Sequence, residues 1–376
     1  METRKSLIDA KRIVVKVGTS TLTYENGRLN YHRMETLVRE LSDLSNQGKE
    51  IILVTSAAIA AGMDRLGLKE RPSEIPEKQA LAAIGQGILM NIYEKLFSEY
   101  GKIAAQVLLT RENSARHNQY THCQNALNAL LKMGAVPIIN ENDAIAVDEI
   151  KIGDNDTLSA IVSMIVGADL LIILSDIDGL YDDNPQTNPN AVLIKEIKEI
   201  TPAVEKMAGG AGSKLGTGGM FTKLQAAKIA MNSGVPLIIA KGAEAGLIRK
   251  IVIGEDFGTL FVAKKGHLNA RKSWLAFGRS TVGKIAVDEG CVQALAQDGK
   301  SLLAAGIVSL MGEFASGDTV SVVDADDREV ARGIVNYSAE DLQKIIGLKT
   351  SEIASAIPNA KIYDEVIHRD SMVLLI

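Results

Sequence analysis

The stretch TLSAIVSMIVGADLLIILS, residues 157–175, decides how the rest of the chain is read. It is nearly apolar and long enough to raise the question of a membrane span. Asp169 interrupts it, and a charge at the centre of a bilayer costs about 2.5–3.5 kcal/mol on insertion scales. The stretch therefore divides into a buried helix, Leu158 to Val166, and a buried strand, Leu170 to Leu174. A short aliphatic strand without polar alternation is buried on both faces, as in a parallel sheet covered by helices.

Working outward, the same signal recurs at Arg12–Val17, Glu50–Val54, Ile103–Leu109, Val136–Ile139 and Pro236–Ile239. Helix-like periodicity fills the intervals at Tyr31–Gln47, Glu77–Tyr100, Thr121–Met133 and Gly219–Ser233. The alternation predicts an α/β class, a mostly parallel sheet sandwiched between helices. Ligands of such sheets sit beyond the carboxyl ends of the strands, so the residues following each strand are the candidates for function.

After Ala263 the pattern changes. A basic stretch, Lys264 to Lys272, leads into short strand-like pieces at Ser273–Phe277, Lys284–Val287, Thr319–Val323 and Arg328–Val335, with helices expected near Glu289–Gln297 and Ala339–Ile346. We expect a catalytic domain over 1–264, a linker over 265–280 and a small, mainly β domain over 281–376. From Ser280 onward eight Lys and Arg face fifteen Asp and Glu, a net −7; the whole chain carries −5, which leaves the first part at about +2. A phosphate backbone would be repelled by so acidic a region, which argues against nucleic acid as a partner.

Composition excludes other classes. With 46% hydrophobic and 23% charged residues the 376-residue chain has the profile of a globular protein of more than one domain. Its two cysteines, Cys123 and Cys291, lack any CxxC spacing, so neither a disulfide framework nor a zinc site is indicated, and a reducing compartment fits. Residues 1–12 hold no uncharged core of a signal peptide, and the expectation is a cytoplasmic protein without a membrane anchor.

Five segments follow strands or open helices and carry chemistry. Lys16-Val17-Gly18-Thr19-Ser20 ends the first strand, where an ammonium and backbone N–H groups can meet one phosphate, although a structural turn would read the same. Gly216-Thr217-Gly218-Gly219-Met220-Phe221-Thr222-Lys223 runs into a helix whose N-terminus favours an anion, with a lysine one turn in; a mobile glycine linker is the competing reading. Asn140-Glu141-Asn142-Asp143-Ala144 and Gly153-Asp154-Asn155-Asp156 place carboxylates and carboxamides at the ends of buried elements. Asp154 or Asn155 could serve as a helix cap, but the two clusters exceed what capping requires and suit a small ligand bearing an ammonium group. Ser175-Asp176-Ile177-Asp178-Gly179-Leu180-Tyr181 can hold a ribose, a base edge or a hydrated Mg²⁺, or simply form an Asx turn.

Two look-alikes are set aside. Gly278 to Lys284 matches a phosphate-binding loop until Ile285 replaces the required Ser or Thr, and a strand pattern follows instead of a helix. His117, His122 and Cys123 have no metal-ligand spacing and read as a polar loop.

Together these segments, with Val54-Thr55-Ser56-Ala57-Ala58-Ile59-Ala60-Ala61-Gly62, resemble the amino acid kinase family. The segment order is similar to members that phosphorylate the side-chain carboxylate of glutamate, and the C-terminal region resembles a PUA domain through Gly283–Asp288, Lys300–Leu303 and Gly333–Ser338. The resemblance implies that Lys16 and Lys223 contact the phosphates of ATP, with Asp156 holding the two lysines in register. It implies glutamate binding by Ser56, Asp143 and Asn155, with Asn140 and Asp154 nearby. Ser175 and Asp176 would contact the nucleotide, and residues Thr217, Gly218, Gly219, Met220, Phe221, Thr222 and Lys223 would wrap its phosphates. ATP with Mg²⁺, proline as a feedback inhibitor, a homo-oligomer (dimer or tetramer) and hand-over of product to a glutamyl phosphate reductase are further implications. One departure stands out: the family usually has Gly where Ala57 stands, and a methyl group there would crowd a substrate approaching the backbone. The rival readings are a family member acting on N-acetylglutamate, aspartate, carbamate or UMP, an RNA-binding PUA protein, and a catalytically silent regulatory subunit.

Overall fold

Asp169, the residue that argues against a membrane span, pins the start of the central strand: its Oδ2 accepts the backbone N–H groups of Lys11 and Arg12, each at 2.8 Å. The computed structural model describes residues 2–110, 117–145, 155–185, 187–208, 219–242, 246–264, 275, 281–357 and 362–375. The chain divides into two compact units, Met1–His267 and Leu268–Ile376. The stretch expected to link them, 265–280, lies outside the described residues except for Leu275.

The first unit is built on eight strands: β1 (Arg12–Val17), β2 (Glu50–Val54), β3 (Ile103–Leu109), β4 (Ala135–Glu141), β5 (Leu170–Ser175), β6 (Glu196–Ile197), β7 (Leu237–Lys241) and β8 (Thr259–Phe261). Their order is β3-β4-β2-β1-β5-β7-β8-β6, parallel throughout except where β8 runs antiparallel to β7. All six expected strands are present. The short β6 and β8, unmarked by any run of aliphatic residues, extend one edge.

The helices of this unit include α1 (Tyr31–Asn46), α2 (Ala58–Leu66), α3 (Ile75–Glu99), α4 (His117–Lys132), α5 (Asn155–Val166), α6 (Met220–Asn232) and α7 (Leu247–Val252). α4, α5 and α6 pack together on one side of the sheet, while α1, α2, α3 and α7 share the other. Every residue of α5 from Asp156 to Val166 is buried, which explains its apolar composition all round. Its serines satisfy their hydroxyls on the helix itself, Ser159 on Asp156 O at 2.6 Å and Ser163 on Ser159 O at 2.7 Å. His117, His122 and Cys123, expected in a polar loop, instead open α4, because the helix begins four residues before its apolar periodicity does.

Two glycines set the distance between α2 and α3. A Cβ at Gly85 would lie 1.7 Å from Ala58 O, and one at Gly62 would lie 2.2 Å from Leu81 O. The backbones touch there, so only glycine fits.

The second unit has strands β9 (Gly283–Val287), β10 (Ile307–Met311), β11 (Thr319–Val323), β12 (Glu329–Ile334) and β13 (Met372–Leu374) in the order β10-β9-β11-β12-β13. Only the β9–β11 pair is parallel. Helices α8 (Glu289–Asp298) and α9 (Ala339–Ile345) are capped by Asp288, accepting from Cys291 N at 2.7 Å, and Ser338, accepting from Asp341 N at 3.1 Å. Of the expected strand Ser273–Phe277 only Leu275 is described, and it is helical. Strands β10 and β13 were not anticipated; each is defined by its antiparallel partner rather than by a distinctive run of its own.

Candidate active site

The parallel strands β1, β2, β4 and β5 end side by side, which delivers Lys16, Ser56, Asn140 and Ser175 to one rim of the sheet. They line a single cavity of about 390 Å³ together with Gly18, Ala57, Arg71, Glu141, Asp143, Asn155, Asp176 and Lys223. Residues more than two hundred positions apart, Lys16 and Lys223, thus face one space.

At its floor three charged side chains meet. Asp156, in the first turn of α5, receives Lys16 Nζ on Oδ1 at 2.7 Å and Lys223 Nζ on Oδ2 at 3.2 Å. Thr222 donates its hydroxyl to the same Oδ2 at 2.7 Å. All three charges are buried, with exposures of 6% for Lys16, 1% for Asp156 and 3% for Lys223. Burial is the largest influence on Asp156 and pushes its pKa up, yet the charges of Lys16 and Lys223 and the hydrogen bonds from Lys16 and Thr222 outweigh it and hold the carboxyl at about 2. For Lys223 burial again dominates and lowers the pKa, against the pull of Asp156 and aided by the nearby charge of Lys16. Two ammonium groups and one carboxylate leave a net charge of +1 in a low-dielectric cleft. Such a cluster attracts an anion and retains its own carboxylate against protonation.

The elements expected to meet phosphates are close by. Gly219 is the N-cap of α6, so the positive dipole end of this helix lies one turn from Lys223. A Cβ at Gly18 would lie 3.4 Å from Lys16 Nζ, within the space in front of the ammonium. Ser175 is buried and donates to Asp176 Oδ1 at 2.9 Å, with Asp176 exposed. Thr222, expected to touch phosphates, has its hydroxyl committed to Asp156 and to Gly219 O at 2.8 Å, and Phe221 is 42% exposed. Thr217, Gly218 and Asp154 lie outside the described residues.

Asn140 and Asn155, expected at a small ligand bearing an ammonium group, belong to a network of amides. Asn155 does not cap α5; its Nδ2 points to Thr55 O at 2.9 Å, Ser56 Oγ at 2.9 Å and Asn140 Oδ1 at 3.0 Å. Asn140 in turn donates to Gln86 Oε1 of α3 at 2.9 Å, and Thr55 Oγ1 shares a 2.8 Å hydrogen bond with the buried Tyr93 OH. Gln86, Tyr93 and Arg71 were not singled out in the sequence. On a helix or in a loop such residues look like ordinary surface polar groups, and nothing local marks the strand ends they reach.

Ala57 adopts φ +75°, ψ +16°, the left-handed region. The demand for glycine here is therefore conformational as well as steric, since an L side chain in this region costs about 1–2 kcal/mol. Ala57→Gly is expected to stabilise the first unit by about 1 kcal/mol, raising its Tm by about 2–4 °C in a thermal melt. A lowered Tm would show that the methyl contributes packing that outweighs the strain.

The model of the amino acid kinase family matches residues 11–241 and that of the PUA domain residues 283–357. The glutamate 5-kinase of Caldanaerobacter subterraneus subsp. tengcongensis is 56% identical over 364 residues, covering 97% of this chain and 98% of that one. The glutamate 5-kinase of Moorella thermoacetica is 50% identical over 374 residues, covering 100% and 99%. Among solved structures, the UMP kinase of Bacillus anthracis aligns with a TM-score of 0.47 and 16% identity over 68% of this chain and 97% of that chain.

Proposed function

Because the chain belongs to the amino acid kinase family, we propose that it transfers the γ-phosphoryl group of ATP to the side-chain carboxylate of L-glutamate, and that Lys16, Lys223 and Asp156 carry the transfer. The relatives at 50–56% identity are glutamate 5-kinases along nearly their full length, which favours this acceptor over N-acetylglutamate, aspartate, carbamate or UMP and over an RNA-binding role. The observation that carries the assignment of roles is the net +1 cluster of Lys16, Lys223 and Asp156 at the floor of the shared cavity.

The acceptor needs no base. A glutamate side chain has an ordinary pKa of about 4.3, so it is an anion at neutral pH and already a nucleophile. What opposes reaction is the approach of one anion to another. Lys16 and Lys223 offset that repulsion and stabilise charge on the phosphoryl oxygens as the carboxylate oxygen forms its bond to phosphorus and the ADP oxygen leaves in line. Asp156 keeps both ammonium groups turned toward that point. The product is the acyl phosphate γ-glutamyl phosphate.

Ser56, Asn140, Asp143 and Asn155 bind the amino acid, with Asp143 as counter-charge to its ammonium and Arg71 available to its second carboxylate. Asp154 and Thr217 to Lys223 complete the substrate and nucleotide sides by the family resemblance. Among the described residues no three carboxylates, imidazoles or thiols are grouped to hold a metal. By the family resemblance Mg²⁺ would come with the nucleotide and offset charge on its phosphates. The same resemblance supports proline as a feedback inhibitor, a homo-oligomeric assembly, and delivery of the labile acyl phosphate to a reductase, the phosphorylation itself being the first step of proline biosynthesis. Cys123 and Cys291 are both free thiols, in keeping with a reducing cytoplasm. No helix is long and apolar enough, among the described residues, to cross a membrane.

The test is ADP release from MgATP with glutamate, N-acetylglutamate or aspartate as acceptor, repeated with proline. Turnover confined to another acceptor would overturn the reading. Asp143→Ala is expected to raise KM for glutamate roughly 10-fold or more with KM for ATP little changed, as for loss of a charged hydrogen bond to one substrate. Equal rises for both substrates would remove Asp143 from the glutamate pocket.

A further inference from the structure

The amide network beneath the cavity has a direction, and one backbone group sets it. Glu141 N donates to Asn140 Oδ1 at 2.9 Å. A backbone N–H can only donate, so the carbonyl oxygen of Asn140 must face it, and the amide nitrogen must face the other way. There it meets Gln86 Oε1 at 2.9 Å. The same Asn140 Oδ1 also accepts from Asn155 Nδ2 at 3.0 Å, which turns the nitrogen of Asn155 toward Asn140, Thr55 and Ser56. What Asn155 has left is its Oδ1, sheltered from solvent and without a hydrogen-bond partner.

A sheltered acceptor with no donor beside a ligand cavity is an incomplete interaction. Asn155 lines the cavity next to Asp143 and Ser56. The only groups that complete an acceptor of this kind are donors, and of the groups on a free amino acid the ammonium is the donor while both carboxylates are acceptors.

We infer that Gln86 is a positioning residue for the substrate: by accepting from Asn140 it completes and anchors the relay whose polarity the Glu141 N–H sets, so that Asn155 keeps its carbonyl oxygen for the ammonium of the amino acid. This rests on the glutamate-kinase reading of the site. Gln86 stands behind Asn140 and is not among the residues that line the cavity. Its place is fixed by its neighbour Gly85, whose backbone lies against Ala58 O so closely that no side chain fits. Asn140 is 1% exposed and Gln86 8%, so water does not readily replace the glutamine oxygen. Without it, the Asn140 nitrogen is left without an acceptor, and flipping the amide to relieve that would set its NH₂ against the Glu141 N–H.

The experiment compares Gln86→Met with Gln86→Glu in the full-length protein, using steady-state kinetics with glutamate and with glutarate, which lacks the ammonium. Gln86→Met removes the acceptor at similar volume and is expected to raise KM for glutamate roughly 10- to 100-fold. KM for ATP and kcat at saturating glutamate should stay within about two-fold. The preference for glutamate over glutarate should shrink by the same factor as KM rises. Gln86→Glu keeps an acceptor oxygen in place and is expected to return KM for glutamate to near the parent value. Unchanged KM in Gln86→Met, a parallel rise in KM for ATP, an unchanged preference over glutarate, or a Gln86→Glu variant as impaired as Gln86→Met would each overturn the inference. Parent protein that turns over no glutamate at all would instead sink the functional reading on which it stands.

Discussion

Lys223→Ala is expected to lower kcat for glutamate-dependent ADP release by roughly 10²–10³, the loss that follows removal of one preorganised donor to transition-state charge. The variant should fold. Removing Lys223 leaves Asp156 paired with Lys16 at 2.7 Å and with the Thr222 hydroxyl at 2.7 Å, so the buried charge is balanced where it was previously +1. That balance is itself the reason for the kinetic defect, because the cleft no longer carries an excess ammonium for the transferring group. Lys223→Arg should not rescue, since a planar guanidinium does not fit a site only 3% exposed. There is a pH signature as well. Burial lowers the Lys223 pKa, so the parent kcat should fall on the alkaline side at a pH below the ordinary lysine range, as the active ammonium form is lost. In Lys223→Ala that limb should disappear. An unchanged kcat in the variant would take Lys223 out of the chemistry.

Asp156→Ala is expected to destabilise the first unit by about 3–5 kcal/mol, since it strands two buried ammonium groups without their counter-ion. Deprotonation of Lys223, whose pKa is already lowered by burial, limits the cost, so the loss should be smaller at high pH than at neutral pH. The parent protein carries the complementary acid signature. Its Asp156 carboxyl sits at about 2 when folded against an ordinary 3.8, so the stabilisation is fully present above about pH 4 and is lost as the pH falls through 2. The linked stabilisation is about 2 kcal/mol. It is less than the expected loss in Asp156→Ala because protonation neutralises the carboxyl but leaves its atoms, and the Thr222 contact, in place. Denaturant midpoints at pH 7 and at pH 3, read for parent and variant, measure both effects. A midpoint at pH 7 unmoved by the substitution would show that Asp156 does not hold the lysines together.

Much of the frame was visible in the residues. Six aliphatic runs without alternation marked the six long strands, and the glycine turn after Lys16 and the glycine-rich lead into α6 marked the two lysines as anion-binding candidates. Burial of both faces of a strand leaves its imprint on every residue of that strand. The short β6, β8, β10 and β13 leave no such imprint, because two to five residues paired at or next to the margin of a sheet need only partners and no composition of their own. Asn155 could be a cap or a ligand on sequence grounds, and the fold decides against the cap by placing Ser56 and Asn140 within reach.

Residue order and type by themselves determined the α/β alternation, the change of character after Ala263 and the kind of ion the site would hold, since periodicity and charge are written locally. Only the tertiary structure decided that Lys16 and Lys223 divide the two oxygens of Asp156, that Gln86 stands behind Asn140, and that Ala57 takes a left-handed backbone. These depend on strand order and on the close approach of α2 to α3, and such long-range geometry is set by how whole elements pack, which no single window of sequence contains.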